Sequence, residues 1–390
     1  MIDEAREKKP KNSAVVTFLI GNGFDIGLGL KTRYSDFAAT YLQHPSKTDV
    51  IAELKKTINQ NIDFWGDAEL AFGKLKFSDF GKDTYSVVKE CVTDFSGALS
   101  EYLQDEERRF QVPADEQKVA FCTLLCSYYQ RLGVYPKRNE LKRLKRFNRL
   151  KVNVINFNYT ETIDKMLPPS GTIPLPGWGK VDVQINEVCH VHGALSAGTS
   201  RSFGVNMSSQ IEDTKLIPEA RMLLVKPEVD RMARWGLEPM AKEMIDESDT
   251  VVLFGLSLGG SDQLWWDHLL DYIRYKPEHR LCLMQYVIDA HGTQSPGEEG
   301  LWAQRECRKF YNAVDSKKLE YVNTADLDRQ IDVSTRGPHL DPDGHETFCD
   351  PFQLFWFGKK LVADRPHSSA STSPSRSSSN PSSSRWSEQI

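Results

Sequence analysis

Five short strand-like runs, each leading into a turn or an amphipathic segment, do most to limit what this chain can fold into. They are Val15–Ile20, "KVNVINF" at 151–157, "EVCHVHG" at 187–193, "TVVLFG" at 250–255 and "RLCLMQYVI" at 280–288. Short apolar strands that alternate with helical patterns belong in a parallel sheet covered on both faces, so the fold class is α/β. Between the first two runs, residues about 33–150 repeat apolar positions at spacings of three and four, as in "YSDFAATYL" and "DFSGALSEYL". This predicts a large helical insertion after the first strand, with Thr32 as the N-cap of its first helix.

The α/β domain is expected over residues 14–365, behind a polar segment at 1–13. From Ser368 onward the chain is mostly Ser, Pro and Arg, and a tail at 366–390 of that composition cannot bury enough apolar surface to fold. The net charge of −5 gives no general attraction to nucleic acid or anionic membranes. Eight basic residues against one acid between Lys137 and Lys151 read as a solvated helix face, a phosphate or nucleic-acid contact being the sharper alternative. Seven scattered cysteines form no framework and predict a reducing compartment, the cytoplasm. No export signal is read at the charged start, and no apolar run has the length of a membrane span.

The strand ends carry the chemistry. In an open parallel sheet, ligands bind beyond the carboxyl ends of the strands, where strand order reverses. "GNGFD", "FNYT", "HVHG" and "GLSLGGSD" all fall there and are expected to line one cleft. In "GNGFD", Gly21 and Gly23 let a ligand approach the backbone, and the amides before a helix favour an anion. The spacing is neither G-x-G-x-x-G nor a P-loop, because the next glycines are Gly27 and Gly29 and no Lys-Ser/Thr follows. Asn158 stands at the second strand tip, where it either holds a water or ribose hydroxyl or, like Thr160, caps the next helix. The period of two puts His190 and His192 on one strand face, but no third metal ligand has recognisable spacing. His192, directly before a glycine, is the better placed as a general base.

"FGLSLGG" also permits a nucleophile-elbow reading, with Ser257 as nucleophile and Asp289 and His291 as partners. Gly259 and Gly260 would then occupy the helix's first turn at roughly 1 kcal/mol each relative to Ala. Ser261 or Asp262 is the better N-cap, and the two partners are only two residues apart.

The motifs "LIGNGFDIGLGLKTRYSDF", "INFNYTETID", "HVHGALS", "FGVN" at 203–206 and "VVLFGLSLGGSD" occur in the order found in AbiH-type phage abortive-infection proteins. "FWGDAELAFGKL" resembles that family's Trp-Asp-x-Glu helix through Trp65, Asp67 and Glu69. The resemblance spans roughly residues 15–290. AbiH-type proteins are in turn similar to sirtuin-like, Rossmann-like defence proteins that bind NAD.

That likeness implies that Gly21, Asn22 and Gly23 approach the pyrophosphate of NAD, and that Asn158 and His192 act at the nicotinamide ribose. It places Gly255 and Ser257 at the adenosine side, and Phe24, Asp25, Tyr159, Thr160 and Asp262 complete the expected nucleotide contacts. The implied activity is hydrolysis of NAD to nicotinamide and ADP-ribose. No four-cysteine zinc module is present to suggest deacylation. Asp25 would repel a pyrophosphate, so it caps "IGLGLK" or approaches the cationic nicotinamide ring. A non-catalytic nucleotide sensor that signals to a partner is the alternative. Either reading leaves room for a phage-derived trigger and a homo-oligomer.

Overall fold

The computed structural model describes residues 12–196, 203–284, 296–320 and 324–334. The Ser-rich tail, nearly all of segment 1–13, and Asp289 and His291 lie outside the described residues. Eight strands form one mixed sheet: β1 (Ala14–Ile20), β2 (Arg149–Asn156), β3 (Gly171–Leu175), β4 (Gly179–Ile185), β5 (Cys189–His190), β6 (Thr250–Phe254), β7 (Arg280–Met284) and β8 (Ile331–Ser334). The order is β3-β4-β2-β1-β6-β7-β8, with β5 also paired to β2. Among the described residues all pairings in this sheet are parallel except β3 with β4.

Each of the five runs contains a strand, but one is shorter than expected and an extra hairpin joins the sheet. "EVCHVHG" forms only the two-residue β5, since the chain turns at once into Gly193 with φ +82°. The β3–β4 hairpin was not expected. Its exposed strands alternate and contain Pro174, a pattern that edge strands tolerate and buried ones do not.

Alternation along β1 divides the core. Ala14, Val16, Phe18 and Ile20 pack into a cluster with Phe121, Leu125 and Leu144, while Leu19 faces Trp265, Trp266 and Leu270 across the sheet. The helical insertion is therefore not one body. Its last helices, Asp115–Cys126 and Val134–Leu144, cover a sheet face. Its earlier helices, from Tyr34–Tyr41 to Thr84–Arg108, close over an aromatic core of Phe37, Tyr41, Trp65, Phe72 and Phe95. Thr32 caps nothing: Arg33 occupies the N-cap position and the Thr32 hydroxyl donates to Asn22 Oδ1. The basic segment is largely exposed, but Arg143 turns inward to Glu140 at 2.6 Å and the Thr250 hydroxyl at 2.6 Å.

Chain order reverses at β1, with β2 on one side and β6 on the other. The loops after β1, β2, β5 and β6 consequently meet at one edge of the sheet.

Candidate functional site

A cavity of about 270 Å³ opens there. The loop after β1 contributes Gly21, Asn22 and Asp25, and the loop after β2 contributes Phe157, Asn158, Tyr159 and Thr160. His192 comes from beyond β5, and Leu256, Ser257, Ser261 and Asp262 come from beyond β6. The helical insertion supplies the far wall through Arg33, Tyr34, Asp67, Glu69, Leu99 and Leu103.

Phe24, Gly23 and Gly255 are not on this wall. Phe24 is fully buried against Phe121 and Phe254. Gly23 and Gly255 face each other: Gly23 N–H donates to Gly255 O at 2.7 Å, and a Cβ on Gly23 would meet that same oxygen at 2.7 Å. Gly255 has φ +66°, and its Cβ would lie 2.7 Å from Phe24 N. Even Gly21, which does reach the cavity, would drive a Cβ to 2.6 Å from Leu256. The glycines thus let the loops after β1 and β6 pack backbone to backbone. That contact accounts for their bareness without a pyrophosphate.

Asn22 and Asp25 are similarly engaged. Asn22 Nδ2 donates to Thr32 O at 2.8 Å, which pins the chain returning from the short helix Gly23–Gly27. Asp25 sits inside that helix rather than capping "IGLGLK". Its buried carboxylate accepts hydrogen bonds from the hydroxyls of Thr160, at 2.5 Å, and Thr162. Burial pushes its pKa up to about 6 against the pull of these two bonds.

Neither Asn158 nor Thr160 caps the helix Thr162–Met166, whose N-cap is Glu161. The loop is shaped instead by Asn156, which accepts from Asn158 N–H at 3.0 Å and donates to Thr160 O at 2.9 Å. Asn158 Nδ2 then donates to Gly21 O at 3.2 Å, tying the β1 and β2 loops together.

His192 Nδ1 lies 3.1 Å from Phe157 O, a distance at which the nitrogen donates and the ring is the Nδ1–H tautomer. Nε2 is buried and has no hydrogen-bond partner among the described residues. Burial, reinforced by Lys226 and opposed by Asp262, lowers the His192 pKa to about 3, so the imidazole is neutral. His190 is elsewhere, 3.2 Å from Asp164, because β5 ends before the two histidines can share a face. Among the described residues, no three His, Cys, Asp or Glu side chains are arranged to hold a metal.

Around His192 stands an ionic cluster of Asp262, Lys226 and Glu69, with Asn206 and Tyr159 as neutral partners. Asp262 is the N-cap of the helix Gln263–Tyr275, yet its carboxylate makes no cap bond. It accepts from Asn206 Nδ2 at 2.8 Å and lies 3.6 Å from Lys226 Nζ. Lys226, buried, donates to Glu69 Oε2 at 2.6 Å, and Tyr159 OH donates to Glu69 Oε1 at 2.9 Å. Asn206 and Lys226 are brought together by a short bridge in which Val205 N–H donates to Leu224 O and Lys226 N–H to Val205 O. Gly204 makes the bridge feasible, since a Cβ there would lie 2.2 Å from Leu224 O. Burial raises the Glu69 and Asp262 carboxyls, and Lys226 pulls both back. Burial alone would lower Lys226, but Glu69 and Asp262 more than reverse it. Sequence reasoning gave Lys226 no role, for a lysine followed by proline carries no signal of a buried ion pair.

Ser257 is exposed on the loop, six residues before the helix at Gln263 begins. No hydrogen bond joins it to His192 among the described residues, and the elbow geometry is absent.

The family model for bacteriophage abortive infection AbiH matches residues 17–282. The chain belongs to the AbiH family. No curated protein matches it. The AbiH match takes in every residue of the cavity wall and stops before the helix Pro296–Ala313. The Trp-Asp-x-Glu helix divides its labour. Trp65 packs in the aromatic core, Asp67 caps Leu70 N–H at 3.0 Å, and Glu69 enters the ionic cluster. No helix among the described residues is long and apolar enough to cross a membrane.

Proposed function

We propose that this AbiH protein acts in phage defence by hydrolysing the N-glycosidic bond of a pyridine nucleotide, with NAD as the first substrate to test. One observation carries the reading: a neutral, buried His192 in a carboxylate-lined cavity, whose Nε2 has no hydrogen-bond partner among the described residues. As the bond from ribose C1′ to the nicotinamide nitrogen breaks, nicotinamide leaves as a neutral molecule with the bonding electrons. Positive charge then builds on the ribose, which Asp262 and Glu69 stabilise. Water adds at C1′ and gives its proton to His192 Nε2, while Asn158 orients the water or a ribose hydroxyl. The Asp262 carboxylate, 3.8 Å from Nε2, favours the imidazolium that results.

The test is release of nicotinamide and ADP-ribose from NAD by the purified full chain, with and without phage lysate. His192→Ala and Asn158→Ala should each reduce turnover by about 10²–10⁴-fold, the usual range for general-base help, with unchanged circular dichroism. Full turnover by both folded variants would sink the assignment.

A second reading keeps the ligand and drops the chemistry. Leu99 and Leu103, on the long insertion helix, form part of the cavity wall, so occupancy is felt directly by the helical region. A sensor of this kind binds NAD without consuming it, with or without lysate.

A further inference from the structure

The charge on the cavity wall is sorted. Four carboxylates, Asp25, Asp67, Glu69 and Asp262, line it. Apart from the neutral His192, the one basic side chain on the wall among the described residues is Arg33, which is exposed. Lys226 lies behind the wall and answers Glu69 and, more distantly, Asp262. Asp67 takes part in no ion pair among those found in the described residues. One of its oxygens caps Leu70 N–H and the other points toward Gly259, where a Cβ would meet it at 3.2 Å. Aromatic rings from Tyr34, Phe157 and Tyr159 complete the wall. Beside the acids, the His192 side chain is about nineteen-twentieths buried, and its Nε2, which has no hydrogen-bond partner among the described residues, can only accept a hydrogen bond.

Acids and aromatic faces around a buried acceptor select a planar cation that carries an N–H or O–H donor. Phosphate is repelled by the same wall. The volume, about 270 Å³, is just below the range of about 300–1,000 Å³ usual for drug-sized ligands, so a whole dinucleotide does not fit inside.

We infer that the inner end of the cavity reads positive charge, with Asp67 as the specificity-determining residue, and that it admits the oxidised pyridinium ring while the phosphates stay outside at Arg33. The inference rests on the pyridine-nucleotide reading above but concerns recognition rather than turnover. It also reverses the orientation expected from the glycine motif: phosphate sits at the mouth, not against Gly21–Gly23.

The experiment is calorimetric binding to the full chain of nicotinamide riboside, its reduced neutral form, and NAD. Nicotinamide riboside carries the cationic ring and no phosphate. The oxidised riboside should bind at least tenfold more tightly than the reduced one. Asp67→Asn, which keeps a good N-cap, should remove that preference and leave the reduced form unaffected. Arg33→Ala should weaken NAD about tenfold and leave the riboside unchanged. Equal affinity for the two ring states, no binding of either riboside, or an equal effect of Arg33→Ala on riboside and NAD would overturn the inference. Nicotinamide release followed in parallel separates the two claims. Charge preference without turnover removes the hydrolase reading alone, and turnover without charge preference removes this inference alone.

Discussion

His192 Nε2 and Asp262 Oδ1 stand 3.8 Å apart in a buried pocket, close enough to feel each other's charge and too far for a hydrogen bond. The gap leaves the nitrogen lone pair free for a ligand or a water. Burial and Lys226 together outweigh Asp262, so the neutral ring is the resting state. In ¹⁵N spectra of the full chain, His192 should remain a neutral Nδ1–H imidazole from pH 7 down to pH 5 and charge only toward about pH 3. Titration near the ordinary value of about 6.5 would show that burial and Lys226 do not act on the ring as this geometry implies.

Two buried groups should pull stability in opposite directions on acidification. The folded pKa of His192 is lowered from 6.5 to about 3, so the unfolded chain binds a proton first and stability falls as pH drops through that window. Asp25 is the reverse. Its folded pKa is raised from 3.8 to about 6, so its contribution is full below 3.8 and is lost as pH rises through 6. Asp25→Asn mimics the protonated acid against the hydroxyls of Thr160 and Thr162. It should be more stable than the parent at pH 7 by on the order of 1–3 kcal/mol, with the difference closing toward pH 4. Urea unfolding at the two pH values measures both. A difference independent of pH would show that the carboxylate is not strained by burial.

The sheet and the meeting of four loops were readable in the sequence because each depends on local pattern. Wholly apolar runs such as Val15–Ile20 announce strands buried on both faces, and topology then fixes where their ends lie. The jobs of the individual residues were not readable. Gly23 and Gly255 looked like room for a ligand, yet each makes room for the other, and which of the two applies is decided by residues more than 200 positions apart. Asp262 looked like a helix cap and occupies that position, but Asn206, Lys226 and His192 draw its carboxylate away. Lys226 and Asn206 become neighbours through a bridge between two irregular segments, and such pairing leaves no periodicity to detect.

Lys226 and Glu69 form a buried pair whose members are costly to leave alone. Lys226→Met should cost about 3–5 kcal/mol, because Glu69 and Asp262 then lose the buried cation that answers them both. The double variant Lys226→Met, Glu69→Leu should recover much of that loss, since replacing a whole buried pair by apolar groups is often close to neutral. Tyr159 OH loses its acceptor in the double variant, so recovery should stop short of complete. Denaturant unfolding of the parent, both single variants and the double variant closes the cycle. Simple additivity would mean that the two side chains do not depend on each other.

The packing of the β1 and β6 loops makes a sharper prediction, because a control lies four residues after Gly23, in the same short helix. Gly255→Ala places a methyl 2.7 Å from Phe24 N at φ +66°, and the obstructing atoms are backbone that cannot swing aside. Gly27→Ala, in the short helix that Gly23 begins, meets nothing within 4 Å at an ordinary φ. Strain of the first kind costs on the order of 1–3 kcal/mol from the backbone angle alone, before the clash is added. The second change should be neutral or stabilising by about 0.4–1 kcal/mol, through the lower entropy of the unfolded chain. Gly255→Ala should therefore melt below Gly27→Ala by a few °C, on the usual scale of about 2–4 °C per kcal/mol for chains of 150–250 residues and less for longer ones. Pro- or Ser-tolerant behaviour at Gly255 would mean that the two loops do not touch, and the cavity wall at Leu256 and Ser257 would then lose the contact that sets its position.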